Sequence, residues 1–117
     1  MAKGVSMNNL LFTIPLRAGM LNAYKAFVVE ITGPRKREYS ALLKRYGLKT
    51  AKVWVQTFGN KDYALVFHEA EDDALERLKT WSASTHPFDL WFGEQLNKCY
   101  EGGPERAHLL FEFEARH

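Results

Sequence analysis

The chain has 117 residues, 46% hydrophobic and 14% aromatic, which suits one domain over residues 1–117 with enough apolar material for a core and excludes a disordered tail. Its 16 basic and 14 acidic residues leave a net charge of +2, too small for a general drive toward nucleic acid or a membrane surface. A lone cysteine, Cys99, excludes an intrachain disulfide framework and any multi-cysteine metal site.

The stretch from Leu10 to Leu16 is short and apolar, and Arg17-Ala18-Gly19 closes it, so it reads as a strand. Pro15 lacks a backbone donor and belongs near the strand's end. The same proline breaks the only early apolar run, which follows a single Lys3. That is a poor secretory signal, and no run reaches the roughly 18–20 residues of a membrane span; the expected location is cytoplasmic.

From Met20 the period changes. Met20, Tyr24, Phe27 and Ile31 recur at helical spacing, and Glu38, Leu42 and Tyr46, with Tyr39 and Leu43 beside them, repeat the pattern up to Gly47. One straight helix here would span roughly 42 Å, while strands of about seven residues span only around 23 Å. Gly33-Pro34 is therefore the expected place for the rod to bend or restart, because proline removes a helical hydrogen bond and fits the first turn of a new helix, with Thr32 or Gly33 as cap.

Lys52–Phe58 and Tyr63–His68 read as two strands joined by a hairpin at Gly59-Asn60-Lys61-Asp62. An even loop places Trp54, Gln56 and Phe58 on one side with Tyr63, Leu65 and Phe67. Val53, Val55 and Thr57 then share the other side with Ala64, Val66 and His68. Both sides are mostly apolar, so water is expected to cover neither. "EAEDDALERLKTWSAS" follows as a helix with acids in its first turn and a stripe of Leu75, Leu78 and Trp81 or Ser82. A further helix over 86–99 starts at Pro87, with Asp89 placed to meet free amide groups, and carries an apolar sector of Phe88, Trp91, Phe92, Gln95 or Leu96, and Cys99. "EGGPE" reads as a loop, and Leu109, Phe111 and Phe113 alternate with Leu110, Glu112 and Glu114 as a final strand.

This order is the split βαββαβ arrangement of an α+β, ferredoxin-like fold: an antiparallel sheet with helices on one face and an extra short helix before the last strand. The second apolar face then calls for a partner sheet, most economically in a homodimer. Burying about 500 Å² more apolar surface on each copy contributes roughly 12 kcal/mol before association costs, at about 25 cal/mol per Å².

The arrangement, with its two-sided apolar sheet, resembles the dimeric α+β barrel superfamily, whose members include cofactor-free monooxygenases, sugar mutarotases and haem-handling proteins. "GPRKREY", "VWVQTF" followed by "DYALVFHEA", and "HPFDLWF" are similar to a group of bacterial proteins without an established activity. The resemblance implies the fold and a dimer. No motif carries a mutarotase, monooxygenase or haem-ligand role onto particular residues, since fold does not fix function.

Four groups of residues are candidates for chemistry. Arg35, Lys36 and Arg37 cover about 300° of a helix turn, so they read first as a solvated face; one arginine at the bend would alternatively meet a carboxylate or phosphate. "DYALVFHEA" lacks the glycine-bearing octapeptide of ferredoxin-like RNA binders, which argues against nucleic acid. His68, at a strand end, and His86, three residues before Asp89, are weak acid–base candidates, each with a simpler reading as a hydrogen-bonded wall residue or a local cap. The histidines lack helical ligand spacing, so no metal is expected, and Cys99 on an apolar sector reads as inert. The aromatic residues point to an apolar pocket between sheet and helices near the 86–99 helix, with Arg35, Tyr39, Trp54, Gln56, His68, Trp91 and Phe92 as expected ligand contacts. The leading reading is a homodimer that binds a small hydrophobic or amphipathic molecule, such as an acyl chain with an acidic head, without a cofactor. The alternative is a cofactor-free oxygenase or isomerase on the same scaffold, using His68 or His86, and a third reading is a purely structural dimer whose cavity is filled by its own side chains.

Overall fold

The computed structural model describes residues 7–115. In chain order the elements are β1 (Met7–Pro15), α1 (Leu21–Thr32), α2 (Lys36–Arg45), β2 (Lys52–Phe58), β3 (Lys61–Glu71), α3 (Ala74–Leu78), a 3-10 turn (Trp81–Ala83), α4 (Pro87–Cys99) and β4 (Glu105–Ala107). The strands form one antiparallel sheet in the order β2-β3-β1-β4. First and third strands are central and the crossovers are helical, which is the ferredoxin-like α+β fold.

Pairing register assigns the faces. Leu10, Phe12 and Ile14 of β1 lie opposite His68, Val66 and Ala64 of β3, and Val66 and Ala64 lie opposite Val53 and Val55 of β2. These residues share the face covered by the helices. The outer face carries Leu11 and Thr13, Tyr63, Leu65 and Phe67, and Trp54, Gln56 and Phe58. The two sets are those expected from the alternation, because Gly59 and Asn60 form a two-residue turn, both with positive φ (58° and 65°). Paired positive φ values match the strand twist, and this even loop preserves the phase.

The long helical stretch does break. Thr32 ends α1 and Lys36 opens α2. Between them the Gly33 and Arg35 amides both donate to the Glu30 carbonyl, at 3.4 and 2.9 Å. The new helix starts later than the proline rule suggested: Arg35 is its cap residue, and the Thr32 hydroxyl donates back to the Val28 carbonyl at 2.7 Å instead of capping forward. A Cβ on Gly33 would stand 2.9 Å from the Val29 carbonyl oxygen. Gly33→Ala is therefore expected to cost about 1–3 kcal/mol, read as a lower urea midpoint at unchanged slope; an unshifted midpoint would show that the break tolerates a side chain.

Two segments depart from the sequence pattern. The helix expected from Glu69 onward is only Ala74–Leu78, because β3 runs on to Glu71 and the Thr80 and Ser84 hydroxyls make local hydrogen bonds to the backbone instead of supporting a helix. Thr80 Oγ1 donates to the Arg77 carbonyl at 2.6 Å, turning the chain into the 3-10 turn. The last strand is also displaced. Glu105–Ala107 pairs with Leu11–Thr13, while residues 108–115 run outside the sheet with Leu109, Leu110, Phe111 and Phe113 exposed. Alternation marks a segment that needs cover on one side, and it does not name the strand that supplies it.

Candidate functional site

The space between sheet and helices under α4 is filled by the chain's own aromatic side chains. Phe92 meets Phe27, Tyr39, Trp81 and Phe88 at ring-centroid distances of 5.0, 5.7, 5.5 and 5.8 Å. Tyr46 stacks on Trp81 at 4.7 Å, and Phe27 lies against Trp91 at 5.7 Å. These offset and tilted contacts are close packing.

Polar groups at this site serve the packing. Asp89 is 1% exposed and accepts hydrogen bonds from Arg45 Nη2 (2.5 Å), Tyr46 Oη (2.7 Å) and Ser84 Oγ (2.7 Å). Burial alone would raise its pKa, yet the three donors and the guanidinium charge together hold the carboxyl below the usual aspartate value. It thus joins the end of α2 to the start of α4, which replaces the expected role at the helix amides. His86 is the α4 cap, and its Nδ1 accepts from the Phe88 amide at 3.3 Å. The His86–Asp89 dyad therefore does not form. Local capping explains His86, and the partners of Asp89 come from other elements.

Arg35 sits where the helices break. It is paired with Glu38 at 2.8 and 3.2 Å, and its Cζ lies 4.0 Å from the Trp91 ring centroid and 5.0 Å from that of Phe88. One basic residue thus fastens the start of α2 to α4 by a cation–π contact worth about 0.5–2 kcal/mol, while Lys36 and Arg37 face water. His68 is buried, and its Nδ1 donates to the Thr50 carbonyl at 2.8 Å. Burial lowers its pKa, so the imidazole is neutral at pH 7. Its place is that of a wall residue tying β3 to the chain entering β2.

The seven expected ligand contacts therefore divide. Arg35, Tyr39, Trp91 and Phe92 come together, but as packed core and its rim. Burial pushes Tyr39 up to about 12. His68 is on the same side of the sheet, whereas Trp54 and Gln56 are on the outer face. Burial raises the pKa of Cys99, keeping it a protonated thiol.

An apolar groove opens elsewhere, between α1 and β2. It has a volume of about 270 Å³ and is lined by Tyr24, Lys25, Val28, Val29, Val53 and Val55. It exists because β2 is an edge strand that reaches beyond the cover of α1, leaving Val53 and Val55 on the helix-side face but exposed. Tyr24, one of its lining residues, shares a buried hydroxyl hydrogen bond of 2.9 Å with Tyr100. Burial raises both pKa values, so both phenols stay protonated at neutral pH. Lys25 is exposed and has no salt-bridge partner among the described residues. None of the seven expected contacts lines this groove. Its signal in the sequence was the edge position of β2, and that depends on strand order. A larger depression, of about 600 Å³ and mixed in polarity, lies between the β1–α1 turn, the hairpin and Glu101, where Lys61 and Glu101 are paired with each other.

No group of three or more metal-ligating side chains occurs among the described residues, and no helix there is long and apolar enough to cross a membrane.

The element order and strand order define an α+β protein with a ferredoxin-like fold. Among solved structures, the chain is similar to tetracenomycin F2 cyclase of Streptomyces glaucescens, a type-II polyketide cyclase, with a TM-score of 0.58, 18% identity and coverage of 93% of this chain and 99% of that one. Among curated proteins, 60 residues are 32% identical to human lysine-specific demethylase 7A. That match takes in 50% of this chain but only 6% of the demethylase. No protein-family profile matches the sequence.

Proposed function

We propose that the protein binds a small amphipathic organic acid, with its apolar part in the groove between α1 and β2 and its carboxylate at Lys25. The observation that carries this reading is the groove's lining: four valines, a tyrosine ring and one lysine that has no salt-bridge partner among the described residues. Sites for small molecules are concave and mostly apolar, with a few polar groups that set orientation. A volume of about 270 Å³ is at the small end of ligand sites, so the ligand is a short chain or a single ring. The fold likeness to a polyketide cyclase supports a small-molecule role for this scaffold without specifying a reaction.

The binder acts as a homodimer in this reading. The outer sheet face supports it: Leu11, Leu65 and Phe67 are only half-buried there, Trp54 is 54% exposed and Phe58 is 72% exposed. A contiguous apolar surface of this kind marks an interaction site.

Calorimetric titration with octanoate and octanol tests the groove. Val28→Asp and Val55→Asp are expected to weaken both by more than about tenfold, since each sets a charge in an apolar lining. Lys25→Gln is expected to weaken octanoate about two- to fivefold and leave octanol unchanged, as for an exposed ion pair. Equal binding by the Asp variants would overturn the site, and an unchanged octanoate affinity in Lys25→Gln would overturn the acidic head group.

A further inference from the structure

The larger depression, at the end of the sheet, has no part in the function proposed above. We propose that it binds a small zwitterion of the α-amino-acid kind, whose carboxylate meets Arg17 and whose ammonium group meets Asp62.

The pairing of charges at the depression leads to this ligand. Four charged side chains line it, the cations Arg17 and Lys61 and the carboxylates Asp62 and Glu101. Lys61 and Glu101 neutralise each other at 2.5 Å, which holds the Glu101 carboxyl below the ordinary glutamate range. Arg17 and Asp62 remain. Neither has a salt-bridge partner among the described residues, and they do not pair with each other although they line the same depression. A simple anion would leave Asp62 unmatched, and a simple cation would leave Arg17 unmatched. A molecule with one carboxylate and one ammonium group matches both.

The chain orients both side chains for this. Pro15 and Tyr63 are the last pair of the β1–β3 ladder, and the Leu16 amide then donates to the Asp62 carbonyl at 2.8 Å. Arg17 therefore leaves β1 beside Asp62. The Arg17 amide donates to the Cys99 carbonyl at 2.8 Å, and its Nε donates to the Asn97 carbonyl at 3.2 Å. That bond fixes one edge of the guanidinium and leaves the two Nη groups, a planar fork that suits a carboxylate. Asp62 Oδ1 accepts from the Thr57 hydroxyl at 2.6 Å, and its Oδ2 makes no hydrogen bond among the described residues. Each charge is thus positioned by one bond and keeps capacity for another.

The space also fits. A volume of about 600 Å³ is within the usual range for small-molecule sites. Gly19 and Gly59 border the depression, and a Cβ on either would meet no atom within 4 Å, so their bare backbone leaves the approach open. Leu16, only 2% exposed, adds an apolar patch for a short side chain.

Backbone amide NMR titration of the full chain tests the site with three matched probes. These are L-norvaline, pentanoate (the same chain without the ammonium group) and butylamine (the same chain without the carboxylate). Exposed ion pairs are individually weak, so norvaline is expected to bind with a Kd of about 1–10 mM and to move the amide signals of Ala18, Gly19 and Asn60. Pentanoate and butylamine are each expected to bind there about fivefold more weakly. Arg17→Gln is expected to weaken norvaline by a similar factor without affecting butylamine, and Asp62→Asn to do so without affecting pentanoate. Equal affinity for norvaline and pentanoate in the unsubstituted protein overturns the zwitterion. An absence of shifts at about 50 mM norvaline overturns the site. Norvaline shifts centred on Val28, Val53 and Val55 overturn it too, and assign the ligand to the groove between α1 and β2.

Discussion

Asp89→Ala is expected to lower stability by about 3–5 kcal/mol, the effect of removing one partner from a buried ion pair. The carboxylate is 1% exposed and serves three donors from two other parts of the chain. Its loss strands the Tyr46 and Ser84 hydroxyls and the Arg45 guanidinium, whose buried Nε already lacks a partner. Urea unfolding at pH 7 measures the effect. A loss below about 1 kcal/mol would show that water or a rotated Arg45 replaces the carboxylate. Acid titration gives an independent reading. The folded pKa is depressed, so the unfolded chain takes up the proton first, near the ordinary aspartate value of about 4. The contribution is complete above that pH and lost as pH falls through the lower folded value. Asp89→Asn should flatten this acid limb of the stability curve, and a limb identical to that of the unsubstituted protein would assign it to other carboxylates.

Phe92→Ala is the second large effect, about 3–5 kcal/mol, because the ring is a hub for four other aromatic side chains. Tyr39, stacked on it at an interplanar angle of 11°, loses its platform. Thermal or urea unfolding reads the loss. The groove between α1 and β2 does not include Phe92, so octanoate affinity should survive at temperatures where the variant is folded. If octanoate binding fell along with Phe92 in a folded variant, the ligand would belong among the aromatic residues under α4, as the apolar sector of that helix first suggested.

Much of the fold was legible because local rules and the global fold agree. The two faces of the hairpin follow from alternation and an even loop. The break at Gly33-Pro34 follows from the length of strand a helix can cover, and Pro87 from its fit to a first helical turn. The misreadings have equally local causes. Alternation over 109–114 predicted a strand but could not show that β1 would accept only Glu105–Ala107. Leu75, Leu78 and Trp81 fitted a helical stripe, although Thr80 and the serines end the helix at Leu78. The site was harder to see. An aromatic side chain that fills a core and one that lines a cavity are the same residue in a sequence; in the structure Trp91 and Phe92 pack against Phe27 and Phe88.

The sequence by itself determined the order of elements, the two apolar sheet faces and the interruption of the long helix, because period, proline geometry and turn chemistry act between near neighbours. Tertiary structure alone decided that Arg35 spends its charge on Trp91 and Glu38, that Asp89 finds Arg45 and Tyr46, and that β2 at the sheet edge leaves a groove beside Lys25. Those outcomes depend on which elements meet across the fold, over separations of 43 and 44 residues for the partners of Asp89. No local pattern encodes such distances.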